Sequence, residues 1–147
     1  MSDREQDEAT GIACQLWHHF NAREWDAARK LLSDDFEAFW PQSRERIIGA
    51  DNFITVNREY PGKGEIQIED SRYGYDSWDH THEVTTTVRI KWEKANGKKE
   101  ELFAISFFEI DSDGLIKSAV EYWAETYPAP EWRKKYVESY GLSEVNR

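Results

Sequence analysis

Apolar residues between Asp7 and Phe20 recur at Ala9, Ile12, Ala13, Leu16, Trp17 and Phe20. The spacing i, i+3, i+4, i+7, i+8, i+11 is the stripe of an amphipathic helix. Asn21 reads as its break. A second helix is expected over about Glu24–Leu32, with Trp25, Ala28, Leu31 and Leu32 turned inward and Ser33-Asp34-Asp35 ending it. Phe36 to Trp40 then reads as a short strand. Pro41 stops it, having no N–H to pair. Arg44 to Ile48 reads as a second strand closing at Gly49. Asp51 is expected to cap a third helix, which sets Phe53, Asn57 and Tyr60 along one side before Pro61-Gly62 closes it.

From Glu65 the period changes from helical to two. Ile66 and Ile68 alternate with Gln67 and Glu69, and Arg72 to Asp79 reads as irregular and aromatic. His82, Val84, Thr86, Val88, Ile90 and Trp92 then alternate with polar residues, the cleanest strand pattern in the chain. Asn96-Gly97 and Asp113-Gly114 are hairpin turns, because both dipeptides tolerate positive φ. They join three consecutive antiparallel strands. Phe103, Ile105 and Phe107 read as core on the middle one. On the last, Ala119, Glu121, Trp123 and Glu125 share one side, and Ser118, Val120, Tyr122 and Ala124 the other. A short helix over about Glu131–Tyr140 carries Trp132, Tyr136 and Tyr140 on one side, with Gly141 as its stop. Helices followed by a meander predict an α+β fold, with helices on one face of a mainly antiparallel sheet. No repeat or shift in composition divides the chain, so one domain is expected over residues 1–147, ordered over about 7–140.

Composition narrows the partners. The chain has 147 residues, enough for a real core, and is 14% aromatic, with seven each of Trp, Tyr and Phe. Its net charge of −10 repels nucleic acid and anionic lipid, and neither is expected as a partner. Cys14 is the one cysteine, which leaves no intramolecular disulfide and fits a reducing, cytoplasmic setting. The opening residues are polar and acidic, unlike a secretory signal, and no apolar run reaches membrane-spanning length. His18 and His19 are too close to share a metal face and have no spaced third ligand, so no metal is expected.

Glu121 stands out chemically. A carboxyl between Ala119 and Trp123 loses solvation if that face is a pocket wall, and its pKa then rises toward the range a general acid or base needs. The other reading is a solvated carboxylate on an open sheet face, or one paired to an arginine. His82 lies on the more apolar face of its strand and is a candidate partner for Glu121 across the sheet. A capping or surface histidine near Asp79 is the alternative. Asn57, beside Phe53 and Tyr60, is placed to orient a ligand carbonyl or to bond a neighbouring loop. With Trp40, Phe107 and Trp123, these residues make up the ligand-binding candidates. The face bearing Glu83, Thr85, Thr87, Arg89 and Lys91 is either solvated or a dimer surface.

Several motifs in this order resemble the nuclear-transport-factor-2-like superfamily, and within it the polyketide-cyclase-like (SnoaL-like) branch. They are Trp25-Asp26-Ala27-Ala28 with Leu31-Leu32, Phe39-Trp40-Pro41, Gly49-x-Asp51-x-Phe53, Asp113-Gly114-Leu115-Ile116 and Glu121-Tyr122-Trp123. The ending, with Ala129-Pro130-Glu131-Trp132-Arg133, is similar to a bacterial subgroup of that branch. The resemblance implies a cone-like (cystatin-like) fold, a pocket for a small apolar molecule, frequent homodimerisation through the sheet, and Glu121 at the position of the last-strand acid. It implies cofactor-independent acid/base chemistry, or non-catalytic binding in the same cavity. Arg89-Ile90-Lys91 departs from the Arg-x-Asp arrangement of epoxide-hydrolase-like relatives. His80 and His82 sit at a strand start, unlike the paired histidines of dehydratase-like ones.

Overall fold

The computed structural model describes residues 3–141. Helix α1 (Asp3–Ala22) buries Ala9, Ala13, Leu16, Trp17 and Phe20 of the periodic stripe, and Ile12 is half-buried beside them. Helix α2 (Trp25–Arg29) is shorter than its periodicity predicts. Strand β1 (Leu32–Trp40) begins where the helix was expected to continue. The reason is tertiary: the backbone there is taken up by a parallel partner, strand β6 (Ile116–Glu125), whose first N–H donates to the Leu31 carbonyl at 2.8 Å. Strand pairing over several residues outweighs the weak preference of one helical turn.

Strand β2 (Glu45–Ile48) pairs antiparallel with β1, and helix α3 (Ala50–Arg58) follows. Its N-cap is Gly49, at φ 92° and without a side-chain cap. Asp51 does not cap. It accepts a 2.6 Å bond from Arg29 Nε, while Arg29 Nη2 donates to Asp34 at 2.7 Å. One guanidinium thereby ties α2, β1 and α3 together. Strand β3 (Lys63–Asp76) takes in residues 72–76 of the stretch expected to be irregular, because β4 (Thr81–Glu93) pairs with it along its length, and residues 77–79 lie in the turn between them. Strand β5 (Lys99–Ile110) completes a six-stranded sheet in the order β2-β1-β6-β5-β4-β3. Only β1–β6 is parallel among the described pairings.

The core lies between the helices and one sheet face. Phe36 and Phe53 meet there at 4.7 Å between ring centroids, and Trp17, Phe20 and Phe108 continue the aromatic layer. Strand β5 turns Leu102, Ala104, Ser106, Phe108 and Ile110 toward this layer. Phe103, Ile105 and Phe107 were expected to be core. Instead they face outward, with Ile105 40% and Phe107 47% exposed. β5 alternates without interruption, and its inward face is the other apolar set, Leu102, Ala104, Phe108 and Ile110. The bulge is in β6: Ile110 faces Ile116, but Glu109 faces Ser118, so Lys117 is an extra residue. That shift exchanges the faces of β6 and brings Glu121 rather than Val120 opposite Ser106. The expected C-terminal helix is a single 3₁₀ segment, Glu131–Tyr136, with no buried residue. Its aromatic stripe is left exposed: Trp132 and Tyr136 are 73% and 74% exposed.

Candidate active site

Three adjacent strands and two tryptophans build a polar line through the apolar layer. Thr86 on β4 faces Ser106 on β5, which faces Glu121 on β6. Trp17 Nε1–H, from α1, donates to Thr86 Oγ1 at 2.8 Å. Ser106 Oγ–H donates to Glu121 Oε2 at 2.5 Å, and Trp40 Nε1–H, from the end of β1, donates to Oε1 at 3.0 Å. Trp40 is held edge-on against Trp123 at 5.1 Å. Beyond Trp40 the chain leaves β1, and the Gln42 side chain takes over the Trp123 backbone N–H. The strand end is thus sealed where β1 stops.

Glu121 is 6% exposed, and no cation among the described residues forms an ion pair with it. An unpaired carboxylate in such a place costs several kcal/mol of lost hydration. Burial accordingly pushes its pKa up. The Ser106 and Trp40 hydrogen bonds, which favour the anion, pull it down by less. Desolvation prevails, and the carboxyl holds its proton beyond the ordinary carboxylate range.

The acid opens on a cavity of about 150 Å³ between α1, the α1–α2 turn, the start of β3 and the concave side of β4–β6. Its wall is mostly aromatic and aliphatic: Trp17, Phe20, Trp25, Trp92, Ile90 and Leu102 contribute. This volume suits a molecule of about one six-membered ring, since an apolar cavity of similar size admits benzene. Tyr60 lies at the rim edge-on to Trp92 at 5.5 Å, and Trp92 Nε1–H donates to the Pro61 carbonyl at 2.8 Å. Gly64 is required by this packing. A Cβ there would fall on the Lys91 carbonyl and the Trp92 ring.

Of the residues singled out from the sequence, Glu121, Trp40, Trp123, Asn57 and Tyr60 gather around this cavity. Asn57 Nδ2–H also donates to the Phe53 carbonyl at 2.8 Å, which fixes its orientation. Phe53 lies in the core, stacked between Phe20 and Phe36, and does not line the cavity. Phe107 is on the opposite face of the sheet. His82 is opposite Ile110, four residues along β4 from Thr86, and its Nδ1 is bonded to the Tyr73 hydroxyl at 2.7 Å. It forms no pair with Glu121. Ser106, Trp17, Trp25, Trp92 and Arg23 were missed. The signal for Ser106 was present: a lone hydroxyl among apolar residues of one strand face. Apolar residues on both faces of β5 hid that this was the inner one. Among the described residues, no three His, Cys, Asp or Glu side chains converge on a point. No helix among them is long and apolar enough to cross a membrane.

An α+β cone holding a buried acid at the wall of an aromatic cavity defines the class, that of the nuclear-transport-factor-2-like proteins. Within it, this chain belongs to the SnoaL-like family: the model of the SnoaL-like domain matches residues 14–119. A protein of Kribbella flavida DSM 17836, provisionally named a ketosteroid isomerase, is 26% identical over 97% of this chain and 96% of its own, at a TM-score of 0.74. A provisionally named polyketide cyclase of Xanthomonas campestris pv. campestris is 23% identical over 86% and 95%, at 0.62. A Mycobacterium tuberculosis protein solved with estradiol-17beta-hemisuccinate is 15% identical over 82% and 98%, at 0.65. No curated protein matches the chain.

The raised acid has a signature in stability. An ordinary glutamic acid ionises near 4.5. Below that pH the folded and unfolded states are both protonated. As pH rises past it, the unfolded chain gives up the proton and the folded one keeps it, so stability falls until the buried acid also ionises. Glu121→Gln, uncharged throughout, lacks this decline. Its Tm relative to wild type is expected to climb as pH rises above the ordinary glutamic acid value, until the buried acid also ionises. Parallel Tm curves for the two proteins would contradict a raised pKa.

Proposed function

We propose that this protein binds a small, apolar ring compound in the cavity and performs cofactor-independent proton transfer on it, with Glu121 as the group that carries the proton. The observation behind this reading is the buried carboxyl, without an ion pair among the described residues, at the wall of the cavity. A neutral Glu121 gives its proton to a carbonyl oxygen while water entering the cavity takes the neighbouring C–H proton; the enol that forms is then reprotonated at carbon by that water and returns its O–H proton to Glu121. Trp40 and Ser106 hold the two carboxyl oxygens in place, so little reorientation is needed. The relatives named for isomerase and cyclase activity support chemistry of this type. Non-catalytic binding in the same cavity is favoured by a different observation: His82, the expected second titratable partner, lies elsewhere.

3-Cyclohexenone, a one-ring ketone with an acidic C–H, separates the two. Proton transfer predicts that the wild-type protein speeds its conversion to the conjugated enone. Glu121→Gln is then expected to lose at least about a hundredfold of that rate while still binding the ketone. Binding without acceleration by the wild type would favour the non-catalytic reading.

The protein is further proposed to be a cytoplasmic homodimer joined through the outer sheet face. Its lone cysteine supports the compartment. The outward-facing Ile105 and Phe107 support the surface, and the β6 bulge sets Tyr122, itself 43% exposed, beside them. The apolar patch is therefore centred on β5 and β6, next to the Thr85 and Thr87 face of β4 expected from the sequence. Phe107→Glu is expected to give a monomer in sedimentation velocity at micromolar concentration, where the wild type sediments as a dimer. A monomeric wild type would rule the interface out.

A further inference from the structure

Helix α1 ends in a hydrogen-bonded C-terminal turn whose critical position is occupied by an arginine. Glu24 N–H donates to the His19 carbonyl at 2.8 Å and Arg23 N–H to the Phe20 carbonyl at 3.1 Å. These are the paired bonds of a Schellman motif, with Arg23 at the left-handed position, φ 60°. Glycine suits that conformation and asparagine tolerates it; a long side chain there is strained. The strain coincides with the cavity. Arg23 lines its rim, and its guanidinium lies over the Trp25 ring at 5.4 Å from the centroid. No carboxylate among the described residues forms an ion pair with Arg23. The neighbouring Glu24 is engaged with His19 at 3.0 Å. Among the described residues lining the cavity, Arg23 and Glu121 are the ones with acidic or strongly basic side chains, one at the rim and one at the buried wall.

We infer that the cavity takes a monocyclic carboxylate, its ring among the tryptophans and its carboxylate on the Arg23 guanidinium at the rim. This deepens the pocket reading above and rests on it. The cavity volume limits the buried part to about one ring. A rim guanidinium, stacked and unpaired, offers the planar fork that a carboxylate fits. The net charge of −10 does not forbid an anion. At physiological salt charges beyond about 8 Å are screened, so the nearest cation governs the encounter.

The test uses 3-phenylpropanoate and its uncharged counterpart, 3-phenylpropanamide, titrated against the tryptophan fluorescence of the cavity. Wild type is expected to bind the acid about tenfold more tightly than the amide. Arg23→Gln and Arg23→Gly are both expected to abolish that preference and leave amide binding unchanged. Arg23→Gly also relieves the left-handed strain and is expected to raise Tm, which separates lost recognition from lost folding. Equal binding of acid and amide by the wild type overturns the carboxylate assignment and leaves the pocket standing. A preference that survives in the Arg23 variants overturns the role of Arg23. If neither probe binds up to millimolar concentration, the pocket reading fails and the inference fails with it.

Discussion

A carboxyl group removed from water without a counter-ion is the constraint around which this structure is arranged. Burial raises the pKa of Glu121, and the side chain keeps its orientation because a serine and a tryptophan hold one oxygen each. Ser106 comes from the neighbouring antiparallel strand and Trp40 from the neighbouring parallel one. The site therefore depends on β6 lying between β5 and β1, which is also why β1 starts early at the expense of α2. Local helical preference yields to the strand order, and the strand order delivers the hydrogen bonds.

The cavity follows from the same placement. Helix α1 covers the sheet with Trp17 and Phe20, and Asn21 in its last turn accepts the Ile66 N–H at 2.8 Å, tying the helix end to β3. Past that point the apolar layer thins, and the tryptophans wall a space without filling it. A buried acid in a filled core would be a liability without compensation. Beside an open cavity of one-ring size it becomes a group that can meet a ligand.

Much of this was legible in the chain. The stripe of α1, the alternation of β4 and the two Gly-containing turns follow from side-chain geometry alone, and they were enough to place helices on one face of a mainly antiparallel sheet. Glu121, Trp40, Trp123, Asn57 and Tyr60 could be marked because polar or bulky residues interrupted otherwise apolar patterns. Phe107 was misplaced because both faces of β5 are apolar, so alternation could not choose between them. The face of Glu121 depended on Lys117, one extra residue in β6, and no composition signal marks a bulge. Phe53 and His82 were misjudged for another reason. Sharing a face with a site residue fixes direction but not distance along the strand or depth in the layer. Arg23 was invisible because its interest lies in its backbone angle.

The central claim is that burial keeps the proton on Glu121 beyond the ordinary carboxylate range. Infrared difference spectroscopy of wild type against Glu121→Gln, at a pH just above that range in the unliganded protein, reads this directly. The account predicts a carbonyl stretch of a protonated carboxylic acid, present in the wild type and absent from the variant. Carboxylate bands in its place, lost on substitution, would mean that Glu121 is ionised in its buried site and would contradict the account.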